Sequence, residues 1–275
     1  MRRTEPRIPR RRWQEMTVDE VRRLDAARVV AVLPVAAVEQ HGPHLPLGTD
    51  ALINQGTLDR ALALLPADAP VTVLPMMSVG KSNEHLAFPG TLTHTTETLY
   101  KAWMEIADGL AAAGVRRLVI YNSHGGQSSL GDIVIRDLRV RHGMIAVMVD
   151  CFRMADAADL FGADELRNGI HAGAAETSWL LALRPELVRM DLAPRATPAS
   201  AEVAKRHARL RVVGSAVRMG WQAQDLHESG VAGDATAADA AKGRALLERT
   251  AQMTAELLVE VASLPATTLR PGPPR

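Results

Sequence analysis

The residues best suited to chemistry lie in one short segment, EQHGPHLPLGTD, at positions 39–50. This segment contains Glu39, His41, His44 and Asp50, and two glycines and two prolines interrupt them. Because glycine and proline disfavour a regular helix, we expect a shaped loop here. Imidazole nitrogens and carboxylate oxygens together suit zinc, manganese or iron, and an aspartate can bridge two ions. The alternative is a surface loop with ordinary polar residues.

Two further segments combine histidine with other reactive groups. In NSHGGQ, at 122–127, His124 precedes two glycines, which allow the backbone to turn sharply and aim the imidazole into a cleft. In HAGAAETS, at 171–178, His171 and Glu176 are five residues apart, a spacing that does not place both on one helix face. We therefore expect separate roles for them, one as a metal ligand and one as a group that handles protons. An exposed helical glutamate is the alternative.

A fourth segment, KSNEHLAFPGT at 81–91, contributes the hydroxyl of Ser82, the carboxylate of Glu84 and the imidazole of His85. These groups are candidates either for substrate contacts or for supports that orient metal ligands. We favour supports, because a complete set of ligands can be assembled without them.

These loops lie between short apolar runs and longer helical patterns. The pattern predicts strands at 28–35, 71–75, 117–122 and 144–150, and helices at 50–65, 95–113, 131–142, 172–183 and 235–262. Alternation of apolar strands with helices predicts a layered α/β fold with a largely parallel sheet. The carboxyl ends of such strands form the edge where ligands bind, so the loops at 39–50 and 122–127 should meet there. Residues 191–233 have a mixed pattern that predicts no element.

Composition limits the classes of protein. Of 275 residues, 47% are apolar and 23% charged, which excludes general disorder. The 32 basic and 31 acidic residues nearly cancel, so we expect neither nucleic-acid nor membrane binding. The single cysteine, Cys151, excludes an intrachain disulfide framework and a cysteine-rich metal site, and it favours a cytoplasmic location. No apolar run approaches the roughly 20 residues of a membrane-spanning helix.

The chain divides into three parts by composition. Residues 1–12 contain six arginines and predict a flexible basic arm, for which nucleic-acid contact is the less favoured alternative. Residues 13–264 contain no linker and predict a single α/β domain. Residues 265–275 are rich in proline and predict a tail.

The segment at 39–50 closely resembles the signature of the creatininase (creatinine amidohydrolase) superfamily. The blocks SNEH and FPGT, NSHGG and HAGAAETS follow in the same order, and GVAGD at 230–234 resembles a late family block that usually ends in proline. The first block is highly specific, whereas the others are weak in isolation. The resemblance implies a three-layer α/β/α sandwich, two divalent metal ions per subunit (zinc, manganese or iron), and a homo-oligomer such as a hexamer.

The resemblance also implies roles for individual residues. It implies two ligand sets that share one aspartate: Glu39, Asp50 and His124 for one ion, and His41, Asp50 and Glu176 for the other. His171 stands where the family has a histidine that handles protons near the substrate. Gly126 stands where creatininase itself has a ligand glutamate, and Arg167 stands where it has a tryptophan that closes over creatinine. We therefore expect Glu176 to supply the last ligand, and a substrate other than creatinine.

The chemistry that follows is hydrolysis. Two ions lower the pKa of a shared water, so a metal-bridged hydroxide can attack a carbonyl near neutral pH. His171 would donate a proton to the leaving nitrogen. We predict a dinuclear metal-dependent amidohydrolase that cleaves a C–N bond of a small cyclic amide or formamide-type substrate.

Three alternatives stay open for the function. The same site could serve a peptidase that acts on a cofactor-precursor peptide, or a hydrolase that opens the ring of an oxidised inositol. A non-catalytic metal-binding protein on the same scaffold is the third. A groove leading from the metals would favour a peptide. A closed pocket lined by Arg167 or Lys81 would favour a small polar or anionic substrate.

Overall fold

A four-stranded parallel sheet forms the centre of the molecule. The computed structural model describes residues 8–212 and 216–270. The strands of the sheet are β1 (Val30–Val35), β2 (Val71–Val73), β3 (Arg117–Asn122) and β4 (Ile145–Asp150), in the spatial order β2-β1-β3-β4. All residues of β1, β2 and β3 are buried, which explains why these strands are apolar runs rather than alternating patterns.

Helices cover both faces of this sheet. The α-helices in the described residues are α1 (Val18–Arg22), α2 (Thr49–Leu64), α3 (Thr96–Ala112), α4 (Ser128–His142), α5 (Ala158–Phe161), α6 (Ala163–Asn168), α7 (Ala174–Leu183), α8 (Ala199–Arg206), α9 (Ala223–Leu226) and α10 (Ala240–Ser263). Two short strands, β5 (Arg195–Ala196) and β6 (Gly233–Asp234), pair antiparallel outside the main sheet.

Alternate side chains of the central strands point into two separate cores. Val30 and Val32 of β1 pack in one core with α2, α7 and α10, whereas Ala31 and Leu33 pack in the other with α3 and α4. Two helical layers therefore enclose the sheet. This arrangement confirms the predicted α/β fold with a largely parallel sheet.

Helices α7 and α10 approach each other very closely. A Cβ atom at Gly243 of α10 would lie only 1.7 Å from the backbone oxygen of Ser178 in α7, so this contact requires glycine. On the same helix, Thr254 contacts the hydroxyl of Tyr121 in β3 at 3.1 Å. These contacts fix α7 against the sheet, and α7 carries Glu176.

The predicted elements agree with the structure except at some ends. The strand predicted at 117–122 is present, and the structure also has a capping box of Thr17 and Glu20 at the start of α1. The helix predicted from 235 begins at Ala240 instead. Residues Ala235–Ala237 form a 3-10 turn, and the carboxylate of Asp239 caps α10 by accepting from the backbone amides of its first residues.

The two ends of the chain lie partly outside the described residues, namely 1–7 of the predicted arm and 271–275 of the predicted tail. The described part of the arm packs against the domain, because Ile8 is buried and Arg11 accepts a backbone hydrogen bond from Val73. In the tail, Leu269 packs against the core. Within the part of the chain that the structure covers, no helix combines the length and apolarity needed to cross a membrane.

Candidate metal centre and active site

The candidate site lies where the connections of the sheet reverse direction. From β1 the chain proceeds to β2 on one side, whereas β3 and β4 lie on the other side. The loops that follow β1 and β3 therefore leave adjacent strands at a switch point, which is the usual ligand-binding position in such sheets. Asn54 of α2 holds the two strand ends together by donating to the carbonyl oxygens of Val35 and Tyr121, at 3.1 and 3.0 Å.

Carboxylates and imidazoles converge at this point. His124 Nδ1 lies 3.3 Å from Glu39 Oε1 and 3.4 Å from Asp50 Oδ2. His41 Nε2 lies 3.4 Å from the other oxygen of Asp50, Oδ1. All four residues are buried. The carboxylate of Asp50 thus faces a different imidazole with each of its oxygens.

Three overlapping groups of residues have nitrogen and oxygen atoms within 4.8 Å of one another, a spacing at which they could hold a metal ion. These groups are Glu39, Asp50 and His124; His41, Asp50 and Glu176; and Glu39, His41 and His171. The first two coincide with the ligand sets implied by the sequence resemblance. The third adds His171, which the sequence analysis assigned to proton transfer.

Several atoms of the cluster fit a divalent cation. Glu39 Oε2, His41 Nε2 and Asp50 Oδ2 are buried and have no hydrogen-bond partner among the described residues. Such atoms each cost about 1–3 kcal/mol unless another ligand satisfies them. Two ligands that are each about 2.1 Å from a tetrahedral ion lie about 3.4 Å apart, which matches the separations above. The mixture of carboxylate oxygen and imidazole nitrogen suits zinc, manganese or iron.

Backbone carbonyls orient the candidate imidazole ligands. His124 Nε2 donates to the carbonyl of Lys81 at 2.8 Å, and His41 Nδ1 donates to the carbonyl of Glu39 at 3.1 Å. A carbonyl can only accept, so in each neutral ring the other nitrogen keeps its lone pair. Those lone pairs face the carboxylates. Hydrogen bonds of this kind fix the orientation of metal-binding histidines.

The charges of the cluster shift its pKa values. Burial disfavours a charged His41 ring, but the neighbouring carboxylate of Asp50, followed by those of Glu176 and Glu39, raises its pKa to about 9. Burial raises the pKa of Glu176 to about 7. In the absence of metal, protons therefore balance the carboxylates, and a cation would replace these protons.

The residues predicted at 81–91 border the candidate ligands. His85 Nε2 lies 3.4 Å from Glu39 Oε1, Glu84 Oε1 lies 3.6 Å from His124 Nε2, and Ser82 Oγ lies 3.4 Å from the same nitrogen. Ser82 and His85 are buried. Their positions are consistent with either predicted role, as supports for ligands or as substrate contacts.

Arg167 is the predicted site residue that the structure does not bring into this cluster. Its side chain is 71% exposed and lies 3.9 Å from Asp164 on the outer side of α6. Glu165, on the same short helix, points inward instead. Its carboxylate accepts from the backbone amides of Ala174, at the start of α7, and of Asp234, at 2.7 and 3.1 Å.

Sequence reasoning missed both Glu165 and Gln40. Glu165 joins α6 to β6, 69 residues away, and no local pattern predicts such a contact. Gln40 is buried between two candidate ligands, and its amide contacts His85 and His171. Its place inside the most specific motif was the only available signal.

Backbone strain lies beside His171. Ala172 has a φ of 53°, the only positive value at a non-glycine residue in the described chain. Its amide donates to Glu176 Oε2, and its carbonyl accepts from Thr177 Oγ1 at 3.3 Å. This left-handed turn brings His171 and Glu176 to the same cluster, and strain of this kind is typical of functional sites.

The rings around His171 form a packed column. Its centroid lies 4.3 Å from that of His41 and 4.4 Å from that of His85. Trp221 meets His85 edge-on at 6.4 Å. The ring of His171 therefore lies against the rings of both His41 and His85 within the cluster.

Comparisons with known proteins bear on the family and the fold of the chain. A family model described as "Creatininase: Creatinine amidohydrolase" matches residues 14–258. The mycofactocin precursor peptide peptidase of Mycobacterium tuberculosis is 36% identical over 219 residues, which cover 78% of each chain. The creatinine amidohydrolase of Pseudomonas putida is 31% identical over 195 residues, covering 65% of this chain and 72% of the relative. A solved structure named "Creatininase Mn" superposes with a TM-score of 0.74 at 26% identity, covering 91% of this chain and 98% of that one.

Proposed function

The chain belongs to the creatininase family of hydrolases, and from this premise we propose that it is a dinuclear metal-dependent amidohydrolase that cleaves a C–N bond. The observation that carries the proposal is the double use of Asp50. Its two oxygens face two different imidazoles at the same distance of 3.4 Å, which is the arrangement of a carboxylate that bridges two ions.

The ligands follow from the two overlapping sets. We propose that Glu39, Asp50 and His124 hold one divalent ion, and that His41, Asp50 and Glu176 hold the other. Zinc, manganese and iron all suit this donor set. Bound there, such ions would activate water and polarise the carbonyl of the substrate. The unpaired atoms of Glu39, His41 and Asp50 support these assignments.

His171 is proposed to move the proton of the reaction. Its Nε2 donates to the carbonyl of Gln40 at 2.7 Å, so Nδ1 is the nitrogen that faces the cluster, 3.7 Å from Glu39 Oε1. Burial, with the neighbouring rings of His41 and His85, lowers the pKa of His171 well below its usual value. The ring is therefore neutral at rest. It takes a proton at Nδ1 from the attacking water and then donates that proton to the leaving nitrogen.

The bond cleaved is either that of a small cyclic amide or formamide, or that of a peptide. A small cyclic amide or formamide is the simplest substrate, because the cluster of candidate ligands is buried inside the protein. A specific observation favours the second, because the mycobacterial relative that is 36% identical is named a peptidase of a precursor peptide. We propose that Ser82, Glu84 and His85, which border the ligands, support them or contact the substrate in either case.

Three further features belong to the proposal. We propose one domain over residues 13–264, a location in the cytoplasm and assembly as a homo-oligomer. The continuous sheet supports a single domain, and the single buried cysteine supports the cytoplasmic location. Family membership supports the homo-oligomer.

Removal and return of metal test the proposed function. We expect chelation to abolish hydrolysis of amide substrates, and two equivalents of zinc or manganese to restore it. His124→Ala should lose one equivalent, as measured by native mass spectrometry. A panel of lactams, formamides and short peptides identifies the bond. Activity that survives complete metal removal would contradict the proposal, as would two equivalents retained by His124→Ala.

A further inference from the structure

Gln40 is a buried residue at the centre of the site that the proposed ligand sets leave without a role. Its side chain is 5% exposed. Its Nε2 lies 2.8 Å from His85 Nδ1, 2.9 Å from the carbonyl oxygen of Gly230 and 3.1 Å from His171 Nε2. An amide nitrogen carries two hydrogens, so it can donate to only two of these three atoms.

Two backbone groups fix which end of the amide is the nitrogen. The amide of Gly42 donates to Gln40 Oε1 at 2.9 Å, and the carbonyl of Gly230 accepts from Nε2. A flipped side chain would place two donors together at one end and two acceptors at the other. Gly230 also leaves room for this side chain, because a Cβ there would lie 2.3 Å from Gln40 Oε1.

His171 does not accept from the amide. Its Nε2 lies 2.7 Å from the backbone carbonyl of Gln40, which can only accept, so this nitrogen carries a hydrogen. The longer contact of 3.1 Å between His171 Nε2 and Gln40 Nε2 is therefore not a hydrogen bond. The two amide hydrogens remain for Gly230 and for Nδ1 of His85.

One proton arrangement satisfies all these contacts. His85 accepts at Nδ1 and carries its hydrogen on Nε2, which faces Glu39 Oε1 at 3.4 Å. His171 carries its hydrogen on Nε2 and presents the lone pair of Nδ1 to the cluster, 3.7 Å from the same oxygen. Glu39 thus meets a donor from one ring and an acceptor from the other.

We propose that Gln40 is a positioning residue that sets both tautomers, that of His85 through its side-chain amide and that of His171 through its backbone carbonyl. Its effect on hydrolysis rests on the proposed function, because only a working site uses the lone pair of His171. The proton arrangement itself does not depend on which bond the protein cleaves.

Imidazole nitrogen resonances test the arrangement in the unaltered protein. The full chain, labelled with ¹⁵N-histidine and loaded with zinc, gives a long-range ¹H–¹⁵N spectrum that distinguishes Nδ1–H from Nε2–H rings. His85→Gln and His171→Gln assign the two rings by loss of their signals. We expect Nε2–H at both. A hydrogen on Nδ1 of either ring would overturn the proposal without any further variant.

A pair of matched variants separates the effect of the Gln40 side chain on His85 from the effect of its backbone carbonyl on His171. Gln40→Met keeps the length of the side chain and removes its donor, so the tautomer ratio of His85 should shift about fivefold toward Nδ1–H, the effect of one neutral hydrogen bond. His171 should not shift, because its partner is a backbone carbonyl. Gln127→Met is the control, because Gln127 is also a buried amide but contacts Asn122 and backbone groups.

The outcomes of this comparison are distinct. An unchanged ratio for His85 in folded Gln40→Met overturns the proposal, as does an equal shift in Gln127→Met. If Gln40→Met does not fold, the spectrum of the unaltered chain still decides. A chain with the expected tautomers but no hydrolytic activity would contradict the proposed function and leave this inference intact.

Discussion

The interior of the sheet and the candidate ligands Glu39, His41, Asp50 and His124 at its carboxyl edge are both buried, but their unpaired polar atoms are arranged differently. In the helical layers, Trp103 Nε1 and Trp179 Nε1 are single donors that have no partner among the described residues, and each lies in a hydrophobic core. At the edge, unpaired atoms of Glu39, His41 and Asp50 converge. An unpaired buried atom therefore does not by itself indicate a site, whereas several that converge do.

The largest expected effect would come from altering the edge while leaving the interior intact. Asp50→Asn keeps the size of the side chain and removes the charge that two imidazoles face. We expect it to reduce kcat/KM by at least about 10³-fold, because metal ions contribute several kcal/mol to such reactions. Activity assays and metal analysis measure this, with circular dichroism as the control for folding. Unaltered activity with two bound equivalents would contradict the role of Asp50.

A substitution in the hydrophobic interior that leaves the edge of the sheet intact should have an intermediate effect. Leu258→Ala empties a fully buried position in α10, a helix that contains none of the proposed ligands, and should lower the free energy of unfolding by about 2–5 kcal/mol. Urea unfolding measures the loss. Metal content should stay the same. Leu192→Ala is the matched control, because Leu192 is 44% exposed and its replacement should change stability by no more than about 0.5 kcal/mol.

The smallest expected effect is the pH dependence of metal affinity at the edge of the sheet. The pKa of His41 in the metal-free chain is raised to about 9, so the ring is charged at neutral pH and must lose its proton to bind a metal. Apparent affinity for manganese should therefore rise between pH 6.5 and 7.5, about tenfold for each proton displaced. Calorimetry in buffers of different ionisation enthalpy counts these protons. An affinity independent of pH would show that the ring is already neutral.

The raised pKa of His41 also determines the direction in which the stability of the metal-free chain changes with pH. The folded-state pKa of His41 is raised above its ordinary value of 6.5. Its charged form therefore stabilises the fold fully below pH 6.5, and this contribution is lost as the pH rises through about 9. Aliphatic side chains of the interior do not titrate, so this pH dependence should come from the residues at the edge.

The sequence predicted the interior well because its signals are local. Strand β3 was predicted with the correct ends, since residues 118–121 form an apolar run that packs into both cores. The start of α10 was predicted five residues too early. Alanines at 235 and 237 favour helix, but the side chain of Asp234 accepts from the amide of Thr236 and stabilises a separate turn.

The sequence predicted the site residues that lie together in one motif. It did not predict the contacts between loops that are distant in the chain. Glu39, His41 and Asp50 lie within twelve residues, and their types alone suggested a metal. The contact between Gln40 and Gly230 joins residues 190 positions apart, and a neutral amide gives no chemical signal. Arg167 was selected by position in a family pattern, but the structure directs Glu165 inward from that helix and leaves the arginine at the surface.

Gly126 has a consequence for how such sites diverge. A Cβ at this position would lie 2.5 Å from His124 Nε2 and 2.0 Å from Glu84 Oε1. The carbonyl of Lys81 holds the imidazole of His124 in its present orientation, and that orientation requires residue 126 to have no side chain. A glutamate introduced at 126 alone would displace the histidine beside it. A ligand at 126 and the present positions of Glu84 and His124 therefore cannot coexist, so a site that gains the one must rearrange the other two.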